Sequence, residues 1–577
     1  MTFQFSPSRL SGRDRALQRC FSILPGLTSW TILLGIAALA FWKPQLAAAL
    51  VIAFNLYWLL RLLFMTLFLV LSYVRLSVER DTDWMARVRG LDRLAENRDD
   101  RSRVSSTGSL RRRFSRWLHV RELRAVAAQA PPPGSETIAH LVIIPIMQEP
   151  REILEPGLAS LARQTFPPER ILVVLAVEER AAERIKAGVR RLQRRYREAF
   201  LDLLVVVHPD GLPGEARVKG ANATYAAKAA AAFFAERRIA YERVVASCFD
   251  ADTVVGPQYF ACLTYRFLAC PERTRASFQP IPVYHNNIWE VPGFARVLDI
   301  GSSFFQLIES TNPEQLVTFS SHSMSFKALV ETGYWPVDMI SDDSAIFWKA
   351  FIRFDGRYQV VPLPVTVSMD VTAADSWWKT VGHVYRQKRR WAWGVENFPV
   401  VMRAFVTSRT IPLSARLRHG FKLFESHVSW ATWGFLLTVI GWLPALLVGR
   451  EFSDSVLYYS APRITATIFS LASISLATTI IVSLCLLPKR PMRWSLLTKI
   501  GHALEWLLVP VISAGFSALP ALDAQTRLML GDRLEFWVSE KGRRGWDRRK
   551  RPASLEDGRG TLEESQLEPA EEAVEGS

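Results

Sequence analysis

Cysteine is scarce in this sequence: Cys20, Cys248, Cys262, Cys270 and Cys485 are the only five in 577 residues, and no two have C-x-x-C spacing. That pattern excludes a disulfide-stapled scaffold and a zinc ribbon, and it fits reduced thiols in a cytosolic or intramembrane setting. Charge is nearly missing from long apolar blocks near both ends, which excludes a uniformly soluble chain although the averages look ordinary (49% apolar, 22% charged). Residues 553–577 lack aromatics and hold eight acidic residues and one Arg, so they cannot build a core and read as a disordered tail. What is plentiful is positive charge, 71 Lys and Arg against 55 Asp and Glu. A net +16 suits nucleic acid, an anionic bilayer or phosphorylated substrates. Arg111, Arg112 and Arg113 sit beside apolar blocks, which favours the bilayer, where each nearby cation gains roughly 1 kcal/mol. Nucleic acid is not expected as a partner.

Ile23–Trp42 and Leu46–Val74 are each long enough to cross about 30 Å of hydrocarbon. Lys43-Pro44 separates them, so they read as a hairpin rather than a cleavable leader. Basic flanks put the N-terminus and residues 75 onward in the cytosol. Residues 76–136 read as a basic, partly helical linker. The pattern then alternates. His140–Met147, Arg170–Val177, Leu203–His208 and Arg243–Cys248 read as buried strands, with helical stretches such as Ile153–Arg163 between them. Such alternation predicts an α/β domain with a mostly parallel sheet covered on both faces, and ligands bind beyond the carboxyl ends of such strands. Apolar blocks return at Trp430–Val448 and Ile464–Leu487, and Leu504–Leu522 is broken by Pro510, Gly515 and Pro520.

The chemistry-bearing residues cluster at strand ends. Glu149 follows the first strand and Glu178 the second; either could bind a ribose or base, or be a solvated loop acid. The fourth strand runs into Asp250-Ala251-Asp252, two carboxylates able to hold a hard divalent cation on a diphosphate. Lys219 opens an Ala-rich helix, where a cation opposes the dipole unless an anion sits beside it. Asp342-Asp343 is expected just before a helix near Ala345; one acid can cap that helix, and the other can act as a general base. In His383–Trp391 basic and aromatic residues interleave, which suits a phosphate beside a stacked ring and equally a basic helix on a membrane surface.

In order, these motifs resemble the family-two glycosyltransferases, in particular the processive membrane branch of cellulose, chitin and hyaluronan synthases. The resemblance rests on Ile144–Glu149, Glu178, Asp250-Ala251-Asp252, Ser341-Asp342-Asp343 and an intact Q-x-x-R-W in Gln387-Lys388-Arg389-Arg390-Trp391. Phe536-Trp537-Val538-Ser539-Glu540-Lys541 looks like the family's F-x-V-T-x-K gating loop, with Phe536, Val538, Ser539 and Lys541 at its matched positions. The resemblance implies a GT-A-type domain inserted between N-terminal and C-terminal transmembrane helices. It implies that Glu149, Glu178 and Asp250 contact the uridine, and that Asp252 with Asp250 holds Mg2+ or Mn2+. Lys219, Gln387, Arg390 and Trp391 would serve the donor diphosphate and the acceptor end, and Asp343, beside Asp342, would be the base. Three departures stand out. The family's Asp after the second strand is Glu178, T-E-D is Ser341-Asp342-Asp343, and F-F-C-G-S has only a loose counterpart in Phe319–Ser323.

The expected organisation is a transmembrane hairpin (1–75), a basic linker (76–136) and a GT-A domain (137–405). An interfacial helix and C-terminal membrane region (406–530), a gating-loop-like segment (531–552) and the acidic tail (553–577) come after it. The expected function is inverting, processive transfer from a UDP-sugar to a growing β-linked polysaccharide at the cytosolic face of a bacterial inner membrane. A non-processive transferase acting on a lipid acceptor is the alternative. With Phe536–Lys541 gating a cytosolic site, the crossings must be even in number, so Leu504–Leu522 is expected to be re-entrant, interfacial or a tight double pass. A fluorescent-protein fusion after Lys541 should therefore glow in the cytosol, and a phosphatase fused there should be inactive. The opposite pair of signals would break this topology.

Overall fold

The computed structural model describes residues 3–95, 110–128, 131–443, 456–488 and 496–534. The expected gating positions Phe536, Val538, Ser539 and Lys541 lie outside the described residues, as does the tail. The first apolar blocks form α1 (Gly12–Trp42) and α2 (Pro44–Glu79), broken where Pro44 cannot continue the preceding helix. α3 (Trp84–Ala95) and α4 (Leu110–Ala127) come next. The stretch expected to be a partly helical linker seats Trp84, Val88 and Leu91 in the same core as the first strands.

That core begins with β1 (Ala139–Ile146), α5 (Arg151–Leu161), β2 (Ile171–Glu178), α6 (Glu183–Tyr196), β3 (Asp202–His208), α7 (Lys219–Glu236) and β4 (Val244–Cys248). β2 and β4 are buried throughout, and each Val, Leu or Ile so placed contributes roughly 1.5–3 kcal/mol. Then come β5 (Val254–Val255), α8 (Tyr259–Ala269), β6 (Ala276–Val283), α9 (Gly293–Glu309), β7 (Ser323–Ser325) and α10 (Phe326–Thr332). α11 (Asp342–Arg353), β8 (Gln359–Ser368), α12 (Trp377–Ala392) and α13 (Asn397–Thr407) complete the domain. The sheet order is β3-β2-β1-β4-β7-β6-β8-β5.

The first half has the expected parallel character, and β6 and β8 also pair in parallel in the second half. β1 pairs in parallel with β2 and β4, and β2 with β3. β7 runs antiparallel between β4 and β6, and β5 runs antiparallel to β8. These reversals come from strands of three and two residues, too short to leave a periodic signal in sequence. The reversal at β7 carries the preceding loop against the end of β4, where Cys248 N donates to His322 O at 3.1 Å.

Among the described residues, four helical segments are long and apolar enough to cross a membrane: Gly12–Trp42, Pro44–Glu79, Ala466–Leu486 and Ile500–Leu530. The chain is a membrane protein. The expected span at Trp430 belongs to α14 (Leu413–Thr438), which starts well before it, and residues 444–448 lie outside the described set. α15 (Val456–Leu486) packs along α2.

Ile500–Leu530 is one helical path, but its hydrogen bonding changes repeatedly: 3-10 at Glu505–Leu508, α at Val509–Ile512, π at Ser513–Ala518 and α again from Leu519. Pro510 and Pro520, which lack an amide hydrogen, lie in this irregular run. Its two ends return to the domain. Glu505 Oε1 accepts from Arg296 on α9 at 2.5 Å, and Asp523 Oδ2 accepts from Arg389 on α12 at 3.0 Å. Both ends of the segment are thus tied to helices of the domain. Its middle meets α14, where a Cβ on Gly434 would lie 2.6 Å from Ser513 O. Gly434→Val should therefore push α14 off the π-helical turn. Overpacking of this kind costs about 1–3 kcal/mol, and the thermal midpoint of the purified protein should drop by several degrees.

Candidate active site

Local geometry brings three of the expected residues together at the carboxyl end of β4. α7 begins at Lys219, and the next residue, Gly220, has no room for a side chain: a Cβ there would lie 2.3 Å from Pro336 O and 3.0 Å from Asp342 Cβ. This close approach sets the start of α7 against the start of α11. Lys219 Nζ then lies 2.9 Å from Asp250 Oδ1 and 3.0 Å from Asp343 Oδ1. The anions that offset this cation at a helix start are these two carboxylates. Burial alone would lower the lysine's pKa, but Asp250 and Asp343 overcome it and hold the ammonium well above its usual value.

Asp342 and Asp343 do not precede α11, as the sequence led one to expect; they form its first turn, after Ser341. The two acids differ in environment. Asp343 is partly open and ion-paired with Lys219. Asp342 is 3% exposed, and burial, reinforced by the neighbouring Asp343 charge, pushes its carboxyl up to about 8. The fold thus favours the neutral form of Asp342, while Asp343 faces a cation. Ser341 is fixed by Glu396, whose Oε1 accepts from its backbone N and its Oγ, both at 2.7 Å. Burial raises the Glu396 carboxyl to about 7.

Asp250 also accepts a hydrogen bond from Ser320 Oγ. Ser321 has φ +59°, and its Oγ lies 2.8 Å from Thr253 Oγ1 and accepts from Asp250 N at 3.3 Å. The buried His322 ring reaches within 3.8 Å of Asp343; burial pushes it down to about 4, so it is neutral and makes no ion pair. Asp252 is 2% exposed and accepts from Asp370 N at 2.8 Å.

α12 presents the Q-x-x-R-W residues beside this cluster. Burial pushes Asp342 and the Tyr284 hydroxyl up, and the nearby Arg390 charge offsets only a small part of this. The Trp391 ring lies edge-on to Phe319 at 5.8 Å and 6.1 Å from Tyr284. Gln387 is buried. Two expected site residues stand apart from the Lys219 cluster in their contacts. Glu149 Oε2 accepts from the backbone N of Met147 and Gln148, at 2.8 and 3.1 Å, so it caps its own strand end. Glu178 pairs with Arg180 and lines a cleft of about 120 Å³ with His208, Asp210, Glu215 and Arg217.

Residues not singled out from sequence include Tyr284, Glu396 and Asp370. Ser320 and His322 carried only a loose motif match, and only the antiparallel β7 brings them to the site.

Residues 247–486 match the family model described as "Glycosyl transferase family group 2". Over 244 residues the chain is 26% identical to the poly-beta-1,6-N-acetyl-D-glucosamine synthase of Staphylococcus epidermidis, covering 42% of this chain and 53% of that protein. The synthase of the same name from Staphylococcus aureus (strain COL) is 26% identical over 175 residues, 30% of this chain and 39% of that protein. The chain thus spans about half the length or less of the curated relatives it matches. Among solved structures, a mannosyltransferase of Pyrobaculum calidifontis, in complex with GDP-Man and Mn2+, shares 14% identity with a TM-score of 0.36, over 74% of this chain and 99% of that one. Staphylococcus aureus TarS with UDP shares 12% at a TM-score of 0.33, over 70% and 95%.

The contrast between the two acids is testable. A carboxyl held neutral by the fold but ionised in the unfolded chain loses stabilisation as pH rises from about 4 to about 8. Asp342→Asn removes that dependence. Its thermal midpoint should change less between pH values of about 5 and about 8 than that of the parent protein; an unchanged slope would contradict the assignment.

Proposed function

We propose that this chain, a family-2 glycosyltransferase, moves a sugar from a UDP-sugar to the growing end of a β-linked polysaccharide at the cytosolic face of a bacterial inner membrane. The observation that carries the reading is the contact of one buried lysine with both the D-x-D acid Asp250 and the acid Asp343. It puts a cation suited to a diphosphate within one side chain of a candidate base. The cleft at Glu178 supports a place for the nucleoside, at the ends of β2 and β3 where open α/β sheets take their ligands.

In this reading Asp343, the more open of the two acids, accepts the proton of the attacking hydroxyl, and burial favours the neutral form of its neighbour Asp342. Direct attack by that hydroxyl on the anomeric carbon, with UDP departing from the opposite face, inverts the configuration and gives a β-linkage from an α-linked donor. Lys219 and Arg390 meet the negative charge that develops on the diphosphate. Gln387, whose Oε1 is buried without a hydrogen-bond partner among the described residues, can accept from a sugar hydroxyl, and Trp391 offers its ring to the acceptor sugar.

Mg2+ or Mn2+ fits the donor set. No group of three or more His, Cys, Asp or Glu side chains able to hold a metal occurs among the described residues, so the protein's share is Asp252 and Asp250. Hard cations accept oxygen ligands from a substrate diphosphate to complete such a set. When bound, the ion would neutralise diphosphate charge.

UDP-N-acetylglucosamine is the first donor to test, because the named bacterial relatives make a polymer of that sugar. Full-length protein in lipid nanodiscs should release UDP and build long products from one of a panel of UDP-sugars, and chelation of divalent ions should stop it. Asp343→Asn should lower the rate by about 100- to 10,000-fold. Full activity in a folded Asp343→Asn protein would refute the assignment, and products one sugar long on extracted lipid would favour the lipid-acceptor alternative.

A further inference from the structure

The residue between Gln387 and Arg389 belongs to neither the donor nor the base in this reading, yet it is among the most deeply buried charges in the domain. Lys388 and Asp299 are each 3% exposed, and Nζ meets Oδ1 at 2.6 Å. Ser302 Oγ accepts a second hydrogen bond from the ammonium at 3.1 Å. The same Nζ lies 3.7 Å from the centroid of the Trp391 ring, one helical turn further along α12. A buried ion pair is weak ground for stability, because desolvation offsets most of the attraction and apolar replacements often do as well. A cation over an indole face, in contrast, fixes the ring.

Asp299 stands on α9, and α9 is bound to the broken membrane-side path, where Arg296 NH1 donates to Glu505 Oε1 and Phe294 stacks on Phe516 at 5.2 Å. Lys388 therefore joins Trp391 to the side of the domain that faces the apolar helices. Phe319 and Tyr284 bound the ring on other sides.

We propose that Lys388, held by Asp299, is a positioning residue for the acceptor: it sets the plane of Trp391 against the terminal sugar of the glycan. The proposal rests on Trp391 being the ring that receives the acceptor sugar. It separates acceptor binding from donor binding within a single five-residue motif, with Arg390 serving the diphosphate and Lys388 acting through the ring.

The test uses full-length protein in nanodiscs, UDP-N-acetylglucosamine as donor and a β-linked N-acetylglucosamine tetramer as acceptor. Lys388→Met should raise the acceptor KM by about tenfold and leave the donor KM within about twofold. Lys388→Arg, which keeps the cation, should recover part of the loss. Because Lys388→Met alone leaves Asp299 buried and unpaired, the neutral pair Lys388→Met with Asp299→Asn is measured beside it. That double variant should regain thermal stability while the acceptor KM stays high. Recovery of a parental acceptor KM in the double variant would show a purely structural role and overturn the proposal, as would equal changes in both KM values. Parent protein that turns over the donor but shows no acceptor effect on Trp391→Ala would overturn the role of the ring, and Lys388's with it. Parent protein inactive with every nucleotide sugar would instead refute the functional reading.

Discussion

Much of the site depends on one ammonium held between two carboxylates. Lys219 links the start of α7 to the end of β4 and the first turn of α11. Three segments distant in sequence meet there because Gly220 lets two helix starts touch. Coulomb attraction in a partly dry site is strong enough to keep the lysine charged despite burial, so the arrangement is an electrostatic keystone as well as a candidate binding feature. Burial and the adjacent Asp343 charge raise the Asp342 carboxyl against the pull of the ammonium, while the more open Asp343 pairs with it.

Much of this was legible in the sequence, for identifiable reasons. β1, β2, β3 and β4 announced themselves as apolar runs because parallel strands are buried on both faces. Lys219 was noticeable because a cation at a helix start is unfavourable without an anion, and the structure supplies two. The second half of the sheet was not legible. β5 and β7 are too short for periodicity, and the contacts of Ser320 and His322 with the site depend on the reversal of direction at β7. Asp299 was invisible for another reason: α9 is an amphipathic helix like many others, and only the fold puts its carboxylate against Lys388. Glu149 shows the converse. Its position after a strand is as expected, but its carboxylate caps that strand's own amides.

The membrane-side architecture has a similar logic. α1 and α2 were readable as spans from length and hydropathy alone. The Ile500–Leu530 path needed the structure, because its Pro and Gly content fits several geometries, whereas the ion pairs at Glu505 and Asp523 tie its two ends to α9 and α12. Irregular backbone near a bilayer is tolerated where protein covers it, and here α9, α12 and α14 provide the cover.

Ser321 carries a consequence for anyone who would engineer this protein. Its left-handed backbone (φ +59°) is a conformation a glycine would adopt at roughly 1 kcal/mol less, so a search for stabilising substitutions would nominate that change early. Yet the serine hydroxyl binds both Asp250 N and Thr253 Oγ1 and so pins the turn that carries the two acids. At this position stability and the geometry of the two acids pull against each other, and a library selected for heat tolerance alone would lose the hydroxyl that holds that turn.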